Sequence, residues 1–264
     1  VALAFTPFHR GGSGPPLVCL HGFTDTWRTW ELVLPVLERH HEVLALTLPG
    51  HAGGPALPPT ITGDTLADAV EGALDDAGWD RVHLVGNSLG GYVALQLAAR
   101  GRGRSVVAFA PAGGWAADDP SFHDTLAEFV TLHDTLVPLA PHAAALVATP
   151  EGRRRATATT TVEYEHIPTD LLAHQLVGVT RCAVAPMVAY AEEHGYPLDA
   201  AAIDCPVRIA WGTDDRLLAW PRTAARYREE WLPHADWVEL DGVGHAPQLD
   251  VPTEAAQLVV GFTS

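Results

Sequence analysis

Gly86-Asn87-Ser88-Leu89-Gly90 sets a serine between two glycines, after the apolar run Val82–Val85 and before a helical stretch running to Arg100. A residue at such a strand-to-helix turn is held in a strained backbone conformation, and flanking glycines remove the clashes that would forbid it. The turn exposes the hydroxyl at the carboxyl edge of the strands and aims the next helix's N-terminus at the reacting oxygen. A serine hydroxyl is a weak nucleophile at neutral pH, so it needs a base, and the base needs an orienting acid. Trp211-Gly212-Thr213-Asp214-Asp215 carries carboxylates to the end of the run Val207–Trp211. Gly242-Val243-Gly244-His245-Ala246-Pro247 carries an imidazole beyond the run Asp236–Leu240. The interval between acid and histidine holds one helix and one strand, so both side chains return to one edge, in the order Ser, Asp, His. Leu20-His21-Gly22-Phe23 ends an earlier run. The backbone N–H groups of Phe23 and Leu89 are candidates for binding an oxyanion, each such donor being worth ~10²–10³ in rate. His21 is assigned to loop backbone.

These residues need a scaffold that ends several strands at one edge. Leu17–Leu20, Val43–Leu46, Val82–Val85, Val106–Ala110, Val207–Trp211 and Asp236–Leu240 read as buried strands, short apolar runs bounded by turn residues. Thr29–Arg39, Thr65–Ala77, Leu89–Arg100, Pro221–Trp231 and a segment from Thr253 read as helices between and after them. The alternation predicts an α/β fold: an open, mostly parallel sheet with helices on both faces. Between Ala116 and Asp204 the strand signal stops. Phe122, Leu126, Phe129, Val130, His133, Leu136 and Val137 share one helical face, and Leu171–Ala185 is helical again until Pro186 should break it. The expected organisation is a core of 1–115 and 205–264 interrupted by a helical insertion, 116–204.

Composition removes other chemistries. The 264 residues carry a net charge of −16, and all 16 basic residues are arginine. The absence of lysine removes Schiff-base chemistry, a pyridoxal phosphate anchor and the P-loop motif. A pI near 5.1 argues against nucleic acid as a partner. Cys19, Cys182 and Cys205 have no metal-type spacing and suit a reducing cytoplasm as buried hydrophobes. The N-terminal residues lack a signal peptide's basic and apolar regions, and no run is long enough for a membrane span. Glu163, Glu165, His166 and Asp170 are the best local cluster of metal-type side chains but match no metal motif, so no metal and no cofactor is expected. Arg153–Arg155 reads as a solvated helix face.

His21-Gly22-Phe23, Leu48-Pro49-Gly50-His51, Gly86-Asn87-Ser88-Leu89-Gly90, Gly212-x-x-Asp215 and Gly244-His245-x-Pro247 together resemble the α/β-hydrolase fold superfamily along essentially the whole chain. In that family the acid usually sits three residues after the glycine, which selects Asp215 over Asp214. The insertion falls where the family carries its lid, after the family's sixth strand. Two departures are a threonine, Thr47, where an acid is frequent before Pro49-Gly50, and a single strand where a hairpin usually precedes Gly11. The resemblance implies a cofactor-free serine hydrolase with Ser88, His245 and Asp215 in catalysis, acting on small or medium carboxylic esters. Ser88 argues against haloalkane dehalogenases and epoxide hydrolases, whose elbows carry aspartate. The alternatives are a carbon–carbon bond hydrolase of ring-cleavage products, a lactonase, a cofactor-free perhydrolase, and a ligand-binding receptor that retains the three residues. Trp27 and Trp30, equally suited to core packing, and Asn87 are candidates for the substrate pocket.

The expected partner is a small molecule, and oligomeric state is unreadable from sequence. Residues 116–204 contain 13 acidic residues against four arginines, more than half of the excess negative charge. A field of that sign over the entrance favours neutral or cationic substrates. Added salt should therefore raise kcat/KM for anionic esters and leave neutral esters unchanged, which initial rates over a salt series will check.

Overall fold

A computed structural model describes residues 3–263. Seven strands form one sheet: β1 (Phe8–Gly12), β2 (Pro16–Leu20), β3 (Glu42–Leu46), β4 (Val82–Asn87), β5 (Gly103–Phe109), β6 (Val207–Gly212) and β7 (Asp236–Leu240). Their spatial order is β1-β3-β2-β4-β5-β6-β7. Every pairing is parallel except β1 with β3 at one edge, where Phe8 stands opposite Leu46. The longer helices are α1 (Thr65–Asp76), α2 (Leu89–Ala99), α3 (Ser121–Leu136), α4 (Thr169–Thr180), α5 (Val184–His194) and α6 (Pro252–Thr263).

The continuous apolar runs follow from burial of both sheet faces. Successive side chains on a strand point to opposite sides. Val18 and Leu20 of β2 accordingly join one core with Leu84, Val106 and Ile209, beneath α1 and α2. Leu17 and Cys19 join the other with Val85, Phe109, Trp30 and the α6 residues Ala255 and Val259.

Several expected helices differ in detail. Thr29–Arg39 is not one helix but a 3₁₀ turn, Trp27–Trp30, and a single α-turn, Leu34–Leu37. Pro35 has no N–H, and its ring would strike the carbonyl four residues earlier. Pro221–Trp231 is likewise two short turns, Arg222–Ala224 and Tyr227–Trp231. Pro186 does not end a helix. The break lies at 181–183, and Pro186 sits in the first turn of α5, where amides have no intrahelical partner to lose. Helices α4 and α5 are bent by 68° at that break, and no single described helix is long and apolar enough to cross a membrane.

Every regular element between Phe109 and Val207 is helical. Leu126, Phe122, Phe129 and Val130 of α3 pack with Val184 and Val188 of α5, whereas Val137 lies beyond the helix end and is exposed. A second cluster joins Ile167, Leu171 and Leu172 to Ala246 and Leu249. Arg153 departs from the solvated-face reading: it donates to Thr169 Oγ1 and to the carbonyls of Tyr164, Glu165 and Ile167. Arg154 and Arg155 pair with Glu151 at the surface.

Helix α2 starts directly beneath the strand ends. A Cβ on Gly90 would lie 2.1 Å from the Leu20 carbonyl oxygen, and one on Gly86 2.2 Å from that of Gly90. Backbone cannot yield there as a side chain can, so Gly90→Ala should cost about 3 kcal/mol or more. A lowered urea midpoint will report it.

Candidate functional site

Ser88 caps α2 at φ 55°, ψ −119°, in the left-handed half of backbone space. The chain secures this conformation with backbone bonds to the end of β5. Ser88 N–H donates to Phe109 O at 2.9 Å, and Ser88 O accepts from Ala112 N–H at 3.0 Å and Tyr92 N–H at 3.1 Å. Asn87, the preceding residue, is buried, and its amide donates to Phe109 O and to His245 O, at 3.2 and 2.9 Å. Gln248, fully buried, donates to Asn87 Oδ1 and Thr29 Oγ1. Asn87 therefore ties the serine turn to the histidine loop; its amide is spent on backbone.

Asp215 and His245 meet across the ends of β6 and β7. The imidazole Nδ1–H donates to Asp215 Oδ2 at 2.7 Å, which fixes the tautomer because a carboxylate can only accept. Asp215 Oδ1 accepts from Leu217 and Leu218 N–H, at 2.9 and 2.7 Å. Trp211 Nε1–H holds that turn through Leu218 O. Asp214 is exposed beside it. Gly212 is required because a Cβ would lie 2.1 Å from Val243 O. His245 Nε2 is buried without a hydrogen-bond partner among the described residues, so no bond joins it to Ser88 in this conformation.

Leu89 opens α2, so its amide has no intrahelical acceptor. Phe23 lies within the turn closed by Asp25 N–H on Gly22 O. His21 shapes this loop: its Nδ1–H donates to Gly22 O at 2.7 Å, and its Nε2 accepts from Leu48 N–H at 2.9 Å. Burial, with His51 beside it, holds the His21 pKa well below the ordinary histidine value. His51 is likewise lowered by burial, to about 4. Asp25 accepts from Thr26 N–H and from the Gln175 amide of α4, and burial raises its pKa to about 6 against those bonds.

A cavity open on one side, whose empty space with the adjoining solvent amounts to about 680 Å³, is lined by Phe23 and Leu89. Tyr92 of the sheet domain and Leu126, Met187 and Val188 of the intervening helices also wall it. None of the three pocket candidates lines it. Trp30 is fully buried against Phe109, because its turn packs onto the opposite sheet face. Trp27 stacks on His9 and donates to Thr6 Oγ1. Asn87 lies beneath the turn, as described.

The sequence reading passed over Asp250. This buried carboxylate accepts from the N–H groups of Val162, Glu163 and Gly244, joining the helical segment to the His245 loop. Ala246 N–H adds a bond to Thr160 O. A buried acid five residues after the histidine was the available signal. Two members of the local group of metal-type side chains make other bonds: His166 Nε2 meets Leu249 O, and Asp170 pairs with Arg28.

Residues 17–258 match the family model described as the alpha/beta hydrolase family. Epoxide hydrolase EphH of Mycobacterium tuberculosis is 32% identical over 75% of this chain and 92% of its own length. Pimeloyl-[acyl-carrier protein] methyl ester esterase of Aromatoleum aromaticum is 31% identical over 93% of this chain and 96% of its own. Among solved structures, a bacterial membrane phospholipase A aligns with a TM-score of 0.75 at 23% identity, covering 97% of this chain and 81% of that one.

Because its folded pKa is raised, Asp25 adds stability when protonated, and that contribution is lost as pH rises through about 6. Asp25→Asn should therefore be more stable than the native protein at pH 7.5, by about 1–2 kcal/mol, and the difference should shrink by pH 4.5. Urea midpoints at the two pH values will measure it.

Proposed function

The chain belongs to the alpha/beta hydrolase family, and from that premise we propose that it is a serine hydrolase cleaving small or medium carboxylic esters. The observation that carries this reading is the buried Asp215–His245 pair, at 2.7 Å, whose histidine carbonyl accepts from Asn87, the neighbour of a serine held at φ 55° at the start of a helix. Ser88 Oγ attacks the ester carbonyl as His245 Nε2 takes its proton. Asp215 holds the tautomer and stabilises the imidazolium. The N–H groups of Phe23 and Leu89 receive the developing oxyanion. His245 then protonates the leaving alkoxide, and water, deprotonated by the same histidine, releases the acid from the acyl-enzyme. The helices between β5 and β6 act as the lid, and the cavity beneath them receives the acyl group.

The relative named as an epoxide hydrolase supports a second reading, ring opening of an epoxide. That chemistry fits poorly with a serine nucleophile. Attack on an epoxide carbon would leave a serine ether with no carbonyl for water to attack, so the enzyme would not turn over. Water activated directly by His245 is the route left to it. The relative named as a methyl ester esterase supports the leading reading.

A fluorophosphonate probe should label the native protein at Ser88 and leave Ser88→Ala unlabelled. Aryl esters, a lactone, a dienoate diketone and a terminal epoxide, assayed side by side, should show the esters turned over fastest. Ser88→Ala should lower that turnover at least ~10³-fold. Absence of labelling and of ester turnover together would favour the receptor reading. Epoxide or dienoate turnover without ester turnover would reassign the chemistry.

A further inference from the structure

The cavity follows one face of α2. Leu89, Tyr92 and Gln96 recur at helical spacing, and all three line it. At 1.5 Å per residue, Leu89 and Gln96 stand about 10 Å apart along the axis. An extended chain advances about 1.2 Å per bond, so about eight atoms separate a carbonyl held at Leu89 from the level of Gln96. The walls between are apolar, and no charged side chain among the described residues lines the cavity.

At Gln96 the character of the wall changes. Its amide Nε2 donates to Gly63 O and to Tyr92 Oη, both at 3.0 Å, and the Tyr92 hydroxyl donates onward to Pro197 O at 2.6 Å. With the amide N–H groups directed at acceptors, its orientation is fixed. Gln96 Oε1 is left buried with no partner among the described residues. A Cβ on Gly63 would lie 3.4 Å from Tyr190 Oη. Gln96, with its free acceptor, and Tyr190, whose hydroxyl can donate, both line this end of the cavity. A buried amide oxygen is satisfied only by a donor, and an ionised group there would be buried without a counter-charge.

We propose that Gln96, Tyr190 and Gly63 form a subsite for a neutral hydroxyl at the far end of a medium-chain acyl group. The substrate class is then ω-hydroxyacyl esters of about eight carbons. The assignment rests on the ester-hydrolase reading for its chemistry, but recognition is testable without turnover.

In Ser88→Ala protein, calorimetry should show methyl 8-hydroxyoctanoate binding at least tenfold more tightly than methyl octanoate. Adding Gln96→Met, of similar length but without the amide, should abolish that preference. Gly63→Ala, which puts a methyl group 3.4 Å from the Tyr190 hydroxyl, should reduce it at least threefold and serves if the methionine variant does not fold. Equal affinity for the two esters, or a preference that survives Gln96→Met, would overturn the subsite. In native protein the corresponding p-nitrophenyl esters should show the same preference in kcat/KM. Tight binding of the hydroxy ester without turnover of either ester would uphold the subsite and remove the ester-hydrolase reading.

Discussion

The chain passes from β4 into α2 with Ser88 as the only residue between them, and the rest of the site is arranged around that crossing. A left-handed serine costs about 1–3 kcal/mol, and it persists only where the surroundings over-determine it. Here they do, because both the N–H and the carbonyl of Ser88 bond to the chain leaving β5. The same crossing presses Gly90 against the end of β2, which brings the first amides of α2 next to the loop carrying Phe23. A helix displaced by the width of one methyl group would separate those amides from that loop.

The helices between β5 and β6 do more than cover the strand ends. Asp250 and Ala246 bind residues 160–163 to the His245 loop, while Asp25 binds α4 to the Phe23 loop. Both loops of the proposed mechanism are therefore partly positioned by the insertion. A change in the packing of these helices would be felt at His245 and at the Phe23 loop together, through bonds to backbone.

The charge of this segment reads differently in three dimensions. Asp119, Asp170 and Asp204 pair with Arg222, Arg28 and Arg81 of the sheet domain. The field of 116–204 is accordingly weaker at the surface than its composition suggests. The expectation of neutral or cationic substrates is narrowed to neutral ones by a cavity lined without charge, since desolvating an unpaired ion costs more than a distant field can return.

The placement of Ser88, Asp215, His245, Phe23 and Leu89 at strand ends was legible because each is tied to a local rule: a glycine beside a sharp turn, or an acid and an imidazole just past an apolar run. The parallel sheet was legible for the same reason, since burial on both faces writes itself as short continuous apolar stretches. Pro35 and Pro186 show the limit of such rules: one split an expected helix, and the other sits harmlessly in a first turn. Trp30 and Asn87 stand near the site in sequence yet do not line the cavity. Which sheet face a turn packs on, and which distant carbonyl an amide meets, depend on contacts between segments far apart in the chain. Asp250 and Gln96 gained their roles in the same way. The sequence by itself determined the elements and the chemistry-bearing residues at the strand ends, because strand, turn and helix signals are local. Only the tertiary structure decided the cavity and its polar end, because those surfaces form where helices from the middle of the chain fold back over the sheet.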